Sequence, residues 1–139
     1  MTRTDNSVNP SIPSPQPTPD TTSFWGAAAQ GKLLLRRCKA CDKVHYYPRP
    51  FCPFCGGETD WEASSGRGQV YSYSAIQRAD PPYMICYVML DEGVAMMSNM
   101  VDCDLDRVHV GMRVRMVVMP SADGTPVPMF TPETTKEGA

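Results

Sequence analysis

Two Cys-x-x-Cys pairs, Cys38/Cys41 and Cys52/Cys55, constrain the fold of this chain more than any other feature. Ten residues separate the pairs, so both can turn towards one ion and offer it four sulfur ligands. Zinc suits such a site because it imposes no geometry of its own and binds thiolates tetrahedrally. A shell of four cysteines leaves no open position for water. We therefore predict one structural Zn²⁺ held by Cys38, Cys41, Cys52 and Cys55.

The same cysteines would also be compatible with two disulfides or with a redox motif. A redox Cys-x-x-Cys needs only one pair and usually lies in a βαβ unit, for which this sequence gives no signal. The remaining cysteines, Cys86 and Cys103, are predicted to be small buried residues in a reducing compartment. A metal site remains the interpretation that uses both pairs at once.

Length and composition limit the other possibilities. With 139 residues, of which 42% are hydrophobic, the chain can bury one modest core beside a small metal-held module. A net charge of −2 gives no general attraction for nucleic acid or acidic membranes. No stretch approaches the roughly 18 apolar residues of a membrane span, and the polar N-terminus has no apolar run for a signal peptide. We expect a cytoplasmic protein without membrane contact.

The composition along the chain divides it into five parts. Residues 1–22 are rich in Pro, Ser, Thr and Asn, so we predict a disordered tail, with a second short tail at 134–139. Residues 23–37 are predicted to form a short helix and a lead-in strand. Phe24 and Trp25 should anchor that helix, either to this chain's own core or to a partner. The metal module then spans 38–60, and a β domain spans 61–133.

The second half of the chain carries strand signals separated by turns. Five short segments with one intervening polar turn of helix indicate a small closed barrel, so we predict a mainly β protein. Of these segments, the fourth alternates cleanly between polar and apolar residues and the fifth is short. The predicted strands are 69–78, 83–90, 94–101, 112–119 and 127–131.

The segment Tyr83 to Leu90 is apolar on both faces. One face, Met84, Cys86, Val88 and Leu90, would fill the barrel, because alternate residues of a strand point the same way. The opposite face, which includes Tyr87, must be covered by the metal module, by the helix or by another protein. Many methionines in this half are suited either to core filling or to an adaptable contact face.

Taken together, these motifs resemble the DUF35 family, proteins that combine a zinc ribbon with an OB-fold. The resemblance covers about residues 24 to 132, nearly everything outside the tails. Besides both cysteine pairs, it rests on Phe24-Trp25, Gly31-x-Leu33, Pro48-Arg49-Pro50-Phe51-Cys52-Pro53, Gly66-Arg67-Gly68-x-Val70-Tyr71-Ser72-Tyr73, Leu90-Asp91-Glu92-Gly93, Val110-Gly111-Met112-x-Val114 and Pro128-x-Phe130-x-Pro132.

The resemblance implies a fold and a role. The fold would be a short N-terminal helix, a rubredoxin-like zinc ribbon and a five-stranded OB-fold barrel. The role would be that of a non-catalytic accessory subunit of a thiolase-like enzyme in acyl-CoA metabolism, stabilising its partner and helping to bind or channel the CoA ester. CoA or an acyl-CoA ester is then a candidate ligand. The candidate contacts to CoA or the partner are Trp25, Arg36, Arg37, Lys39, Arg49, Arg67 and Tyr87.

Two other classes of function fit the sequence less well than this role. An autonomous enzyme would need a nucleophile with a base, yet His45 and His109 have no evident nucleophile in sequence. We expect His45 to be a hydrogen-bonded or solvated strand residue and no metal ligand. A nucleic-acid module is the alternative function, since zinc ribbons and OB-folds can both bind nucleic acids. Such a site needs a positive groove with stacking aromatics, and acidic residues flank the tyrosines here.

Overall fold

The computed structural model describes residues 12–133, which form a short helix, a three-stranded sheet and a closed five-stranded barrel. The predicted mainly β architecture is confirmed. Residues 1–11 and 134–139, which belong to the two predicted tails, lie outside the described residues. The elements are α1 Thr22–Ala29, β1 Leu34–Cys38, β2 Val44–His45, β3 Thr59–Ala63, β4 Arg67–Ile76, β5 Tyr83–Leu90, β6 Ala95–Met100, a 3-10 turn Leu105–Arg107, β7 Arg113–Pro120 and β8 Pro126–Pro132.

Helix α1 fixes the start of the folded region. Phe24 and Ala28, one turn apart, form its buried face, which packs on β1 and β8. Thr21, just before the helix, is 4% exposed, and its hydroxyl oxygen lies 3.2 Å from that of Thr18. The helix begins at Thr22, one residue before the predicted segment 23–37. It ends before Gly31, whose φ of 77° suits a residue without a Cβ.

Residues 12–20, ahead of the helix, form no helix or strand but lie against the turn that precedes β8. The backbone N–H of Ala122 donates to the carbonyl oxygen of Ile12 at 2.9 Å. The N–H of Asp123 donates to Ser14 Oγ, also at 2.9 Å. This part of the predicted tail is therefore hydrogen-bonded to the barrel at two points.

Strand β1 is the centre of the three-stranded sheet, which we call the ribbon sheet. It pairs antiparallel with β2 on one edge and with β3 on the other, so that Arg36 lies opposite both His45 and Trp61. Strand β3 was not predicted from the sequence, because only Trp61 among its first four residues is a strong apolar strand former. It extends to Ala63, two residues past the predicted start of the barrel domain at 61.

The barrel closes in the order β4-β5-β6-β8-β7, and β7 pairs back onto β4. All pairs are antiparallel except β6 with β8. This order is that of a five-stranded Greek-key barrel. Gly68 lies at the closure point, because it is the register partner of Leu90 on β5 and of Val114 on β7. The five predicted barrel strands are all present, with ends shifted by at most two residues.

One continuous core joins the barrel to the ribbon sheet and the helix. The predicted inward face of β5 is confirmed, since all four of its residues are at most 1% exposed. They pack with Val70, Val114 and Phe130 from the other strands. Leu33 and Leu35, beside and within β1, belong to the same cluster, as does Phe24 of α1. The ribbon sheet is therefore fixed to the barrel through apolar packing.

Candidate metal centre and contact surfaces

The four paired cysteines converge at one end of the ribbon sheet. Their Sγ atoms all lie within 4.8 Å of one another. The Sγ atoms of Cys38 and Cys55 are 3.5 Å apart, and those of Cys41 and Cys52 are 3.7 Å apart. Each close contact joins one pair to the other, so both loops face a common centre. Four sulfurs at this spacing are positioned to bind a single metal ion.

The two loops that carry these cysteines have the same backbone hydrogen bonds. The carbonyl of Cys38 accepts from the N–H of Asp42 at 3.1 Å, and that of Cys52 accepts from Gly56 at 2.9 Å. Both donors have positive φ, 65° for Asp42 and 80° for Gly56. Asp tolerates this region better than most residues with a side chain. The sequence therefore forms two equivalent knuckles.

Backbone N–H groups point at the first sulfur of each knuckle. The N–H groups of Ala40 and Cys41 donate to Cys38 Sγ at 3.3 Å each. The N–H of Phe54 donates to Cys52 Sγ at 3.3 Å. The bond from Cys41 and that from Ala40 lower the pKa of Cys38 to about 6, although burial opposes them. These donors stabilise the thiolate form that metals bind.

Crowding of the four sulfurs works against ionisation of Cys41. A hydrogen bond with the backbone of Lys43 lowers the pKa of Cys41, but burial and the three neighbouring cysteines raise it to about 11. A divalent ion would remove this conflict, because a coordinated thiol is deprotonated. Gly57 completes the fit: a Cβ there would lie 3.1 Å from Cys38 Sγ and 3.0 Å from the Ala40 Cβ. The donor set fits a closed structural site.

The other candidate chemical groups are not arranged for nucleophilic catalysis. Burial, and then the neighbouring Cys103, raise the pKa of Cys86 to about 12. Burial and two flanking aspartates raise the pKa of Cys103 to about 11. Within residues 12–133, no hydrogen bond joins either thiol to a histidine. His45 is 3% exposed, and its Nε2 accepts from the N–H of Arg49 at 3.2 Å, which fits the prediction of a hydrogen-bonded strand residue.

The predicted contact residues do not form one site. Arg37 makes two hydrogen bonds to the Glu62 carboxylate, and Lys39 lies within 4.0 Å of the carboxylates of Glu58 and Asp60. The guanidinium of Arg36 stacks over the Trp61 ring at 4.2 Å. These residues lie on the ribbon sheet and the first knuckle, whereas Arg67 lies on β4 and Tyr87 on β5. Arg49 follows β2, and Trp25 lies on α1.

Trp25 and Tyr87 differ in solvent exposure. Trp25 is partly buried and packs edge-on against Phe24, with ring centroids 5.0 Å apart. Tyr87 is 44% exposed on the outer face of β5, directly opposite Met97 on β6, which is 54% exposed. Tyr71, at the bulge in β4, is 63% exposed and precedes Ser72, the register partner of Tyr87. We call Tyr71, Tyr87 and Met97 the outer apolar patch.

Comparison with known proteins agrees with both modules. A family model described as "ChsH2, rubredoxin-like zinc ribbon domain" matches residues 25–62, and "ChsH2, C-terminal OB-fold domain" matches residues 61–119. A protein of Methanothermobacter thermautotrophicus named "DUF35 domain-containing scaffold protein" is 35% identical over 107 residues, which is 70% of this chain and 80% of that protein. The chain belongs to the DUF35 family. The expected zinc-ribbon and OB-fold architecture is thereby confirmed.

Two further relatives of this DUF35 chain carry enzyme names. A chain in a solved structure titled "Ltp2-ChsH2(DUF35) aldolase" is 31% identical, with a TM-score of 0.73 over 86% of this chain and 98% of that one. The "Probable enoyl-CoA hydratase alpha subunit" of Thermomonospora curvata is 32% identical over 132 residues. The match covers 90% of the DUF35 chain but only 41% of that relative. The DUF35 chain is therefore similar to one part of a longer subunit.

Sequence reasoning missed two cations that the fold places beside Arg67. Lys32, after α1, and Arg115, on β7, line the same groove as Arg67. Arg115 is the register partner of Arg67. The alternation of Arg113 and Arg115 in the sequence indicated an exposed strand face, but pairing of β7 with β4 could not be deduced from that pattern alone.

No described helix is long and apolar enough to cross a membrane.

Proposed function

We propose that this DUF35 chain is a non-catalytic accessory subunit of an acyl-CoA-processing enzyme. The observation that carries the proposal is its match to 98% of a chain in the structure titled "Ltp2-ChsH2(DUF35) aldolase", at 31% identity and a TM-score of 0.73. A hydratase subunit name on another relative points to the same area of metabolism. In the described residues, neither thiol outside the metal cluster is activated, so the catalytic groups would come from the partner.

The catalytic partner that we propose is a thiolase-like subunit. It would supply the reactive cysteine and histidine that thiolase chemistry requires, while this chain stabilises it and helps to hold the CoA ester. A hydratase-type partner is a second candidate, favoured by the name of the Thermomonospora curvata relative. A reducing cytoplasm is the compartment that we propose, because Cys86 and Cys103 would remain thiols there.

The ion that we propose for the four cysteines is one structural Zn²⁺. A tetrahedral set of four sulfurs is typical of zinc or of an iron–sulfur site, and the matching family model is described as a zinc ribbon. Bound zinc would tie the two knuckles together, since the second knuckle has few apolar contacts of its own: Phe51 and Phe54 are each 60% exposed. Its role would be to hold the shape of the ribbon.

The surface that we propose for the partner is the outer apolar patch. Standard interfaces bury about 800 Å² on each partner and have aromatic residues near their centre. Tyr87 and Met97 face each other across neighbouring strands of a rigid barrel, so they offer such a centre without rearrangement. A nucleic-acid function has less support, because Arg37 and Lys39 are engaged by carboxylates of the same chain.

Replacing Tyr87 with alanine should test this surface. We expect binding to the catalytic subunit that copurifies from the source cells to weaken about thirtyfold, because a central aromatic anchor contributes about 2 kcal/mol or more. Isothermal titration with the purified subunit measures the change. Phe54→Ala is the matched control, since Phe54 is an exposed aromatic on the second knuckle. Native binding by Tyr87→Ala, with loss of binding by Phe54→Ala, would move the interface to the ribbon.

A further inference from the structure

A groove of about 440 Å³ lies where the ribbon sheet meets the barrel. Its walls come from the segment after α1, the end of β3, the start of β4 and the middle of β7. Leu33 and Met116 form apolar parts of the wall, while Lys32, Arg67 and Arg115 are its cations. Grooves between modules with a few converging polar groups are common ligand sites.

Two of the cations in this groove are close enough to repel each other when no anion is bound. Arg67 and Arg115 are direct register partners on neighbouring antiparallel strands. Like charges in that relation repel each other and destabilise the strand pair. Arg67 forms an ion pair with Glu133 at 3.3 Å, and Asp91 lies near enough to interact with its charge. For Arg115 and Lys32, the described residues provide no carboxylate within 4.0 Å.

The carboxylates around the groove already have partners, some of them in the groove wall. Asp91 makes two hydrogen bonds to Arg113, at 2.9 and 3.0 Å, and Glu133 is shared between Arg67 and Arg113. The Glu92 carboxylate accepts from the Ser64 hydroxyl and the Ser65 N–H. The groove therefore keeps an excess of positive charge, although the whole chain has a net charge of −2.

We propose that this groove binds the phosphate groups of a small organic molecule, such as a nucleotide diphosphate. Two arginine forks and one lysine match the multiple oxygens of a diphosphate, since guanidinium groups bind phosphate bidentately. The apolar wall at Leu33 and Met116 would contact the organic part. Bound phosphate would also relieve the repulsion between Arg67 and Arg115. Free nucleotides and CoA share this chemistry, and the proposal does not depend on which catalytic partner the chain has.

The test is a titration of the full-length, zinc-loaded protein with pyrophosphate, ADP and CoA at low salt, followed by NMR. We expect saturable shifts at the groove, and about tenfold weaker binding for Arg115→Gln and for Lys32→Gln, because each removes one charge-assisted contact. Arg78→Gln, an exposed cation between β4 and β5, is the matched control and should bind as the native protein does. CoA binding tighter than ADP would identify CoA as the source of the phosphates; equal binding would indicate a nucleotide diphosphate.

A second readout separates binding from a structural role. Without ligand, Arg115→Gln should melt at the same temperature as the native chain or higher, since a like-charge pair is removed. With saturating ligand, the native chain should gain thermal stability and the variant should not. The proposal fails if neither ADP nor CoA binds below about 1 mM, or if pyrophosphate binds as tightly as both, which would mean an adventitious ion only. It also fails if Arg115→Gln weakens the catalytic partner's binding and leaves nucleotide binding unchanged.

Discussion

Cys52→Ser should lose the metal ion and unfold the ribbon. Cys52 is 4% exposed and supplies one of four sulfurs that all lie within 4.8 Å of one another. A structural zinc typically contributes about 10–16 kcal/mol of binding free energy, whereas a whole small domain is stable by only about 5–15 kcal/mol. The knuckles could not offset that loss. We expect one zinc per native chain by elemental analysis and much less than one in the variant.

Cys103→Ser is the matched control for this prediction. Cys103 is a half-buried cysteine outside the metal cluster, next to the 3-10 turn. It should keep a full equivalent of zinc. Amide hydrogen exchange should accelerate across residues 38–60 in Cys52→Ser and stay slow in Cys103→Ser. Full zinc in Cys52→Ser, or iron in the native chain, would show that the ligand set or the metal has been assigned wrongly.

Gly68→Ala, which adds one methyl group, should strongly lower the stability of the barrel. A Cβ at Gly68 would lie 2.3 Å from the carbonyl oxygen of Met89 and 2.9 Å from the Cα of Leu90. Both atoms belong to the backbone of β5, so no side-chain rotation can relieve the overlap. Gly68 also pairs with Val114 on β7, and a shift of β4 would open the barrel where it closes. Overpacking of this kind costs about 1–3 kcal/mol and at times more.

Thermal unfolding measures the effect of this change. With about 3 kcal/mol lost, the Tm should fall by about 10 °C for a domain of this size. Gly26→Ala is the control, because nothing lies within 4 Å of its added Cβ and it sits in α1. Alanine is the better helix former by up to about 1 kcal/mol, so that variant should be unchanged or more stable. A native Tm in Gly68→Ala would contradict the tight approach of β4 to β5.

The metal module and the barrel strands could be predicted because each leaves a local signal. The spacing of Cys38, Cys41, Cys52 and Cys55 indicates one ion without knowledge of any other residue. The two apolar faces of β5 require a covered inner face, and the structure places Met84 and Val88 there. Such patterns depend on neighbours no more than seventeen positions away in the sequence. They predict the structure correctly because local preferences and tertiary packing favour the same fold.

Features that depend on distant pairings could not be predicted. Strand β3 is held by β1, about 25 residues earlier, and its own alternation is short and polar. The same pairing brings Glu62 to Arg37, so a residue predicted to contact CoA or a partner is engaged within its own sheet. The groove cations likewise meet only because β7 closes on β4. Side-chain charges are readable in a sequence, but their partners are set by strand register.

The fold also explains how the ribbon could influence a partner bound at the barrel. Leu33 and Leu35 connect β1 to the core that lies beneath β5 and β6. Metal loss would therefore loosen one wall of that core as well as the knuckles. We expect the outer apolar patch to keep its strand pairing, since β4, β5 and β6 hydrogen-bond to one another independently of the ribbon.

Reconstitution with the copurifying catalytic subunit tests the central claim most directly. The measurement is acyl-CoA turnover by this chain alone, by the catalytic subunit alone and by the mixture, with light scattering to establish the complex. We expect no turnover by this chain alone, a stable hetero-oligomer in the mixture, and higher activity or solubility of the catalytic subunit within it. Turnover by the purified chain alone, or the absence of any complex with an acyl-CoA enzyme, would contradict the accessory-subunit assignment.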